Sequence, residues 1–208
     1  MTDQQIRTRP VSAAAHHDDA QARIDSWWLL PTAEEADAAA RRALEVMPRT
    51  DGLLRFSVLR APAQPALFLQ SLWTTAAARD HYVQQVAAVP KAAVDERAPG
   101  IQRDRALTEI VAVVGHPEPV AEKWVTRRIP VAEDARALVD REITRLRGQD
   151  APGLVRASIG LARDEHGEPV EIVVIEERNG PTGDVLAYQP VGAVAPARET
   201  LTSVTPTM

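Results

Sequence analysis

Two stretches of this chain repeat each other about 100 residues apart, and that repetition limits the available folds more than any other feature. Gly52-Leu53-Leu54-Arg55-Phe56-Ser57 reads against Gly153-Leu154-Val155-Arg156-Ala157-Ser158, 101 positions later. Upstream of each, Pro31, Ala33, Glu34 and Ala36 read against Pro130, Ala132, Glu133 and Ala135, 99 positions later. Single coincidences are common, but two blocks at nearly one offset, inside elements of the same predicted type, indicate an internal duplication.

The elements follow from periodicity. Arg23 to Leu30 reads as a strand in which Trp27 and Trp28 point to opposite faces. Pro31 ends it, and Thr32 with Glu35 three residues on is a capping-box pattern for a helix to about Met47. Leu53 to Arg60 is a second strand and Ala66 to Trp73 a third. Thr74 or Thr75 then caps a helix whose inward stripe is Ala78, Tyr82, Val86 and Val89, with His81 on its border. The β-branched run Ala106–Val114 supplies a fourth strand, giving the order β-α-β-β-α-β of a ferredoxin-like unit.

The pattern then restarts: a strand from Glu122 to Ile129, a helix from Ala132 to Arg147, the Gly153 block, and a strand over Val170–Glu177. After it, Asn179-Gly180-Pro181-Thr182-Gly183 is turn chemistry, and Pro190 and Pro196 leave little room for a second helix. The nearest residues to a Trp73 counterpart are Glu176 and Glu177, so the second half keeps the scaffold and loses that corner. The predicted organisation is a flexible arm over 1–20, a first domain over 21–115 and a second, degenerate one over 121–208.

Apolar residues fall on both faces of the first sheet: Leu53, Leu59, Leu67 and Leu69 in one set, Phe56, Val58, Phe68 and Leu72 in the other. At about 25 cal/mol per Å² of apolar surface, leaving the back uncovered would cost several kcal/mol. A second copy of the sheet covers it. The fold class is therefore α+β: two tandem ferredoxin-like halves closing an intramolecular dimeric α/β-barrel.

Composition narrows the function. In 208 residues, 45% are hydrophobic and 25% charged, as in a soluble globular protein, and the net charge of −5 argues against nucleic acid. No apolar run approaches the roughly 20 residues of a membrane span and the N-terminus has no signal-peptide pattern, so the expected location is cytoplasmic. The absence of Cys removes disulfides, thiolate metal sites and cysteine nucleophiles. His16-His17-Asp18-Asp19 holds ligand types in a loose segment without preorganisation, and no metal site is assigned.

Gly52-Leu53 opening the second strand, Leu72-Trp73-Thr74 ending the third, and the Ala-Ala-Arg-Asp-His-Tyr helix together resemble the antibiotic biosynthesis monooxygenase family of the dimeric α+β barrel superfamily. The resemblance covers about residues 22–114, and 122–178 through the internal match. It implies a cofactor-independent monooxygenase acting with dioxygen on an anthrone-like aromatic polyketide in secondary metabolism. A polyketide cyclase or aromatase, or a non-catalytic ligand-binding accessory protein, is the alternative. The anthrone-oxidising members carry Asn four residues before the tryptophan, whereas here Leu69 stands there and Gln70 follows. The haem-cleaving branch uses a first-strand Asn, and Arg23–Leu30 has none.

Such chemistry requires a base, and the resemblance makes His81 and Trp73 the catalytic candidates, since an imidazole titrates near neutral pH. Trp27, Trp28, Arg55, Phe56, Gln70 and Tyr82 are the candidate substrate-binding residues: flat aromatic walls, an amide and an anion-holding guanidinium. No cofactor is implied. The expected assembly is a pseudo-dimer within one chain, with a homodimer left open.

Overall fold

The protein's structure, a computed structural model, describes residues 17–115, 121–132, 134–148, 153–180 and 186–195. Most of the expected N-terminal arm, and much of the segment after 180, lie outside them. The elements run β1 (Ala22–Leu29), α1 (Ala33–Val46), β2 (Leu53–Arg60), β3 (Ala66–Trp73), α2 (Ala76–Gln85), α3 (Ala88–Asp95), β4 (Gln102–Gly115), β5 (Lys123–Pro130), α4 (Ala135–Arg147), β6 (Leu154–Arg163), β7 (Pro169–Arg178) and β8 (Ala187–Val194). The strands close one antiparallel barrel in the order β1-β3-β2-β8-β5-β7-β6-β4. Within it the first half reads β4-β1-β3-β2 and the second β8-β5-β7-β6, the same order displaced by four strands, with seams at β2–β8 and β4–β6.

Local chemistry places the helices as expected. Thr32 Oγ1 accepts from the amide of Glu35 at 3.2 Å, and Thr75 Oγ1 from that of Ala78 at 3.1 Å, each satisfying a donor the first turn leaves unpaired. Gly52 and Gly153, at φ +80° and +72°, turn the chain into β2 and β6. A side chain at Gly52 would meet the Ala78 Cβ at 2.5 Å, so this glycine is also what lets α2 sit down on the sheet. Both hairpins carry a register shift directly afterwards, at Leu53/Arg55 and at Leu154/Arg156.

Strand pairing sets Trp73 opposite Leu53 and Arg178 opposite Leu154, which makes Trp73 and Arg178 equivalent positions. By the same ladders Ala22 answers to Lys123, so β1 and β5 correspond at 101 residues. Pro130 therefore falls opposite Leu29 and not Pro31, and the helix-start match at 99 residues is a coincidence of composition. The helix expected to run through Val89 breaks at Val86, where Tyr82 O accepts from the amides of both Val86 and Ala87, and Val89 is 77% exposed. The sheet faces also sort differently from the expectation. Phe56, Val58, Leu67 and Leu69 pack under the helices, while Leu59 and Phe68 point into the barrel. Strand β8, unread in the sequence, completes the second half and pairs mainly with β2.

The barrel interior is filled. One level is apolar, with the Phe68 ring 5.5 Å from Trp27, 5.7 Å from Tyr188 and 6.5 Å from Trp124. Another level is polar and fully buried. Arg23 Nε donates to Asp25 Oδ2 at 2.6 Å and to Thr108 Oγ1 at 3.1 Å, and Arg23 Nη1 reaches Ser158 Oγ at 2.6 Å, while Nη2 donates to the Val173 carbonyl. Gln70 Nε2 donates to Asp25 Oδ1 at 3.2 Å. One guanidinium from β1 thus ties the first half to β6 and β7 of the second.

Gly160 on β6 makes room for this tie. A Cβ there would sit 2.5 Å from Thr108 Oγ1 and 2.9 Å from Arg23 Nη2. Gly160→Ala is expected to cost about 1–3 kcal/mol through overpacking, read as a lower denaturant midpoint with unchanged m-value. An unchanged midpoint would show that the network shifts freely. Among the described residues, no helix is long and apolar enough to cross a membrane.

Candidate binding cavity

A cavity of about 460 Å³ lies between the outer face of the first half-sheet and its three helices. Strand alternation brings Ile24, Ser26 and Trp28 of β1, Phe56 of β2, and Leu69 and Ser71 of β3 to its floor. The helical wall comes from Ala43 and Val46 of α1 with Met47 at its end, Tyr82 and Val83 of α2, and Pro90 and Val94 of α3. The break between α2 and α3 builds this wall, because it lets α3 pack against α1. The mouth is charged: Lys91 and the β4 residues Arg103, Asp104 and Arg105 line it.

Two tryptophan–serine pairs furnish the floor. Trp28 Nε1 donates to Ser26 Oγ, and Trp73 Nε1 to Ser71 Oγ, both at 2.8 Å. Each pair is a Ser-x-Trp triplet on a strand, where a period of two puts both side chains on one face. The Ser26 hydroxyl donates in turn to the Asp104 backbone carbonyl at 3.2 Å. Ser71 has no acceptor among the described residues, which leaves its hydroxyl proton available to the cavity it lines. Trp73 itself is fully buried behind the wall, with its ring 5.0 Å from that of Tyr82. Burial pushes the Tyr82 phenol up to about 12, so it stays neutral and points its hydroxyl at Met47 Sδ, 3.6 Å away.

The mouth is organised around Asp95. Lys91 Nζ lies 2.8 Å from it and Arg103 pairs with its other oxygen. Burial works against its ionisation, but hydrogen bonds and charge from Lys91 and Arg103 outweigh this and hold the carboxyl below its ordinary range. Arg103 lies over the Trp28 ring at 4.6 Å, and its Nε and Nη2 are buried without an acceptor among the described residues. The arrangement offers a flat aromatic slot, a hydroxyl donor on the floor and unused guanidinium donors at the opening.

Of the residues expected in the site, Trp28, Phe56 and Tyr82 meet here. Trp73 acts behind the wall. His81 does not reach the cavity: it is exposed on α2, because the inward positions are Arg79 and Tyr82 and the next residue round the helix turns away. Trp27 points into the barrel, where its Nε1 donates to Thr126 Oγ1 at 2.9 Å. Gln70 lies inside the barrel on Asp25. Arg55, next to the cavity-facing Phe56, also turns away from the cavity; burial lowers its pKa, Glu177 opposes that and Arg156 adds to it. Ser26, Ser71 and Arg103 were not anticipated. The repeated Ser-x-Trp triplet carried the signal for the serines, whereas nothing in the sequence separates Arg103 from Arg105.

In the second half, the floor positions Ser26 and Ser71 are Arg127 and Glu176 by strand register. Arg127 pairs with Glu142 and Arg145 with both Glu142 and Glu176 at 2.6–2.8 Å, so ion pairs stand where the first half has hydroxyls. Among the described residues, no cluster of three or more His, Asp or Glu could hold a metal ion.

No family model and no curated protein matches the sequence. Solved structures do match. An anthrone oxidase-like protein aligns over 90% of this chain and 98% of its own at 10% identity and a TM-score of 0.60. A candidate chlorite dismutase aligns over 82% and 95% at 11% identity and a TM-score of 0.51. A candidate monooxygenase from Lactobacillus acidophilus covers 84% and 99% at 14% identity and a TM-score of 0.47. The first two establish a shared fold.

Proposed function

We propose that this protein is a monooxygenase that oxidises a flat, anthrone-like aromatic polyketide with dioxygen, without metal or flavin, in cytoplasmic secondary metabolism. The observation that supports it is the aromatic cavity with a cationic mouth on a barrel of this fold. The two halves are read as copies of one ancestral unit, of which the first retained the site.

Ground-state dioxygen is a triplet and does not react directly with closed-shell substrates, so the substrate must first become an electron donor. An anthrone does so by losing a proton from its methylene carbon to water at the open mouth, giving an enolate, and a proton is taken back when the peroxide forms. Arg103 at the mouth and the Ser71 hydroxyl on the floor are placed to stabilise the enolate oxygen, which lowers the pKa of the carbon acid. One electron passes to dioxygen, the carbon radical and superoxide join, and the protonated peroxide loses water as its O–O bond breaks. The methylene becomes a carbonyl, with one oxygen atom in the product and one in water. The apolar walls exclude solvent during these steps.

The test is oxygen uptake with 1,8-dihydroxyanthrone, one dioxygen per quinone formed, unstimulated by flavin, NADPH or metal. A requirement for any of these, or turnover that continues without oxygen, would overturn it, the latter in favour of a cyclase. The ligand-binding alternative draws support from one observation: among the described residues no histidine lines the cavity, and its carboxylate, Asp104, is paired with Arg128. Binding of the anthrone without any turnover would select it.

Two variants check the site. Arg103→Gln is expected to lower kcat for 1,8-dihydroxyanthrone about tenfold with KM nearly unchanged, the equivalent of one charge-assisted hydrogen bond made to the enolate and not to the neutral ketone. His81→Ala is expected to leave kcat/KM within about twofold, as for a surface substitution. A large loss there would return His81 to the site.

A further inference from the structure

Beside the cavity lies a second hollow, a groove of about 390 Å³ at the barrel mouth, and the two share the wall formed by Trp28, Arg103 and Asp104. On the groove side the lining is of a different chemistry, with Trp27, Tyr188 and the amides of Gln64 and Gln102. Both glutamines are exposed, and neither side-chain amide has a partner among the described residues. The cations around it are already paired: Arg103 with Asp95, and Arg128, which lies over the Trp27 ring at 4.8 Å, with Asp104 and Glu171. Burial pushes the Tyr188 phenol up to about 12, so no anion arises from the groove's floor.

Resting on the function proposed above, we infer that the substrate is bipartite, with its flat ring system in the cavity and an uncharged, hydroxyl-rich extension, glycosyl in character, lying across the Trp28–Arg103 wall in the groove. Amides that donate and accept at once suit hydroxyls, which do the same, while aromatic rings, whose π faces are electron-rich, suit the C–H groups of a saturated ring. Among the described residues an anionic extension meets only guanidiniums that already hold carboxylates, and a purely apolar one would leave both amides unmatched. Arg103 Nε and Nη2, buried at the dividing wall without an acceptor, mark where the junction between the two parts would pass.

Binding of 1,8-dihydroxyanthraquinone and of its mono-O-glucoside, followed by tryptophan fluorescence and calorimetry on the whole protein, tests this. The glucoside is expected to bind at least about tenfold more tightly, the gain of one or two neutral hydrogen bonds. The double variant Gln64→Ala, Gln102→Ala is expected to remove that gain while leaving the aglycone within about twofold, since both residues are exposed and off the cavity. Equal or weaker binding of the glucoside, or a gain that survives the double variant, would overturn the bipartite substrate and leave the cavity's aromatic specificity intact. Failure of both ligands to bind would overturn both.

Discussion

Arg23→Ala is expected to destabilise the protein by about 3–5 kcal/mol, the cost of removing one partner from a buried ion pair. Asp25, Thr108, Ser158 and the Val173 carbonyl would all lose a donor that no water can replace without opening the barrel. The effect should depend on pH in a definite direction. Burial already raises the Asp25 pKa against the opposing charge of Arg23, and the variant loses that opposition. A carboxyl whose folded pKa exceeds its unfolded value of about 3.9 favours folding only while protonated. Stability of the variant should therefore fall as pH rises from about 3.9 towards the raised folded pKa, so acid narrows its gap to the parent. Denaturant midpoints across that range check it. A pH-independent loss would mean that Asp25 is not the group left stranded, and a double variant, Arg23→Met with Asp25→Leu, should recover most of the loss.

Trp73→Ala should be as costly, about 3–5 kcal/mol for emptying a fully buried aromatic site, and should abolish ligand binding as Tyr82 and Ser71 lose their support. Because that variant risks unfolding, Trp73→Phe is the sharper measurement. It keeps a ring against Tyr82 and removes only the indole N–H that orients Ser71, for a loss of about 1 kcal/mol in stability. If Ser71 serves the enolate, kcat should fall with KM nearly unchanged, because the interaction forms in the transition state. A change in KM alone would make Trp73 a packing residue and nothing more.

The strands and caps were legible because their signals are local. Thr32 and Thr75 cap as their spacing indicates, and the Gly52 and Gly153 blocks open equivalent hairpins. What was illegible depends on facing relations that one strand's alternation leaves open. Trp27 and Trp28 were known to diverge, but which enters the barrel is set by pairing with β3 and β4. His81 failed for a related reason: α2 carries almost no amphipathic bias, so its buried Arg79 and Tyr82 are selected by the Thr108 carbonyl and the Trp73 ring, partners outside the helix. Val86 and Ala87 look helical one by one, and only the packing of α3 on α1 shows why the helix stops there.

The ladder equates Arg23 with Trp124, so the two sides of the barrel's near-dyad meet different partners. In an assembly of identical subunits, a cation reaching over a true dyad would confront its own twin, and both would repel. Here Arg23 finds a hydroxyl and a carbonyl, while an indole occupies the mirrored place. A single polypeptide can thus bury one arginine–aspartate pair on one side of its centre, where a symmetric assembly of two identical chains would have to bury it twice.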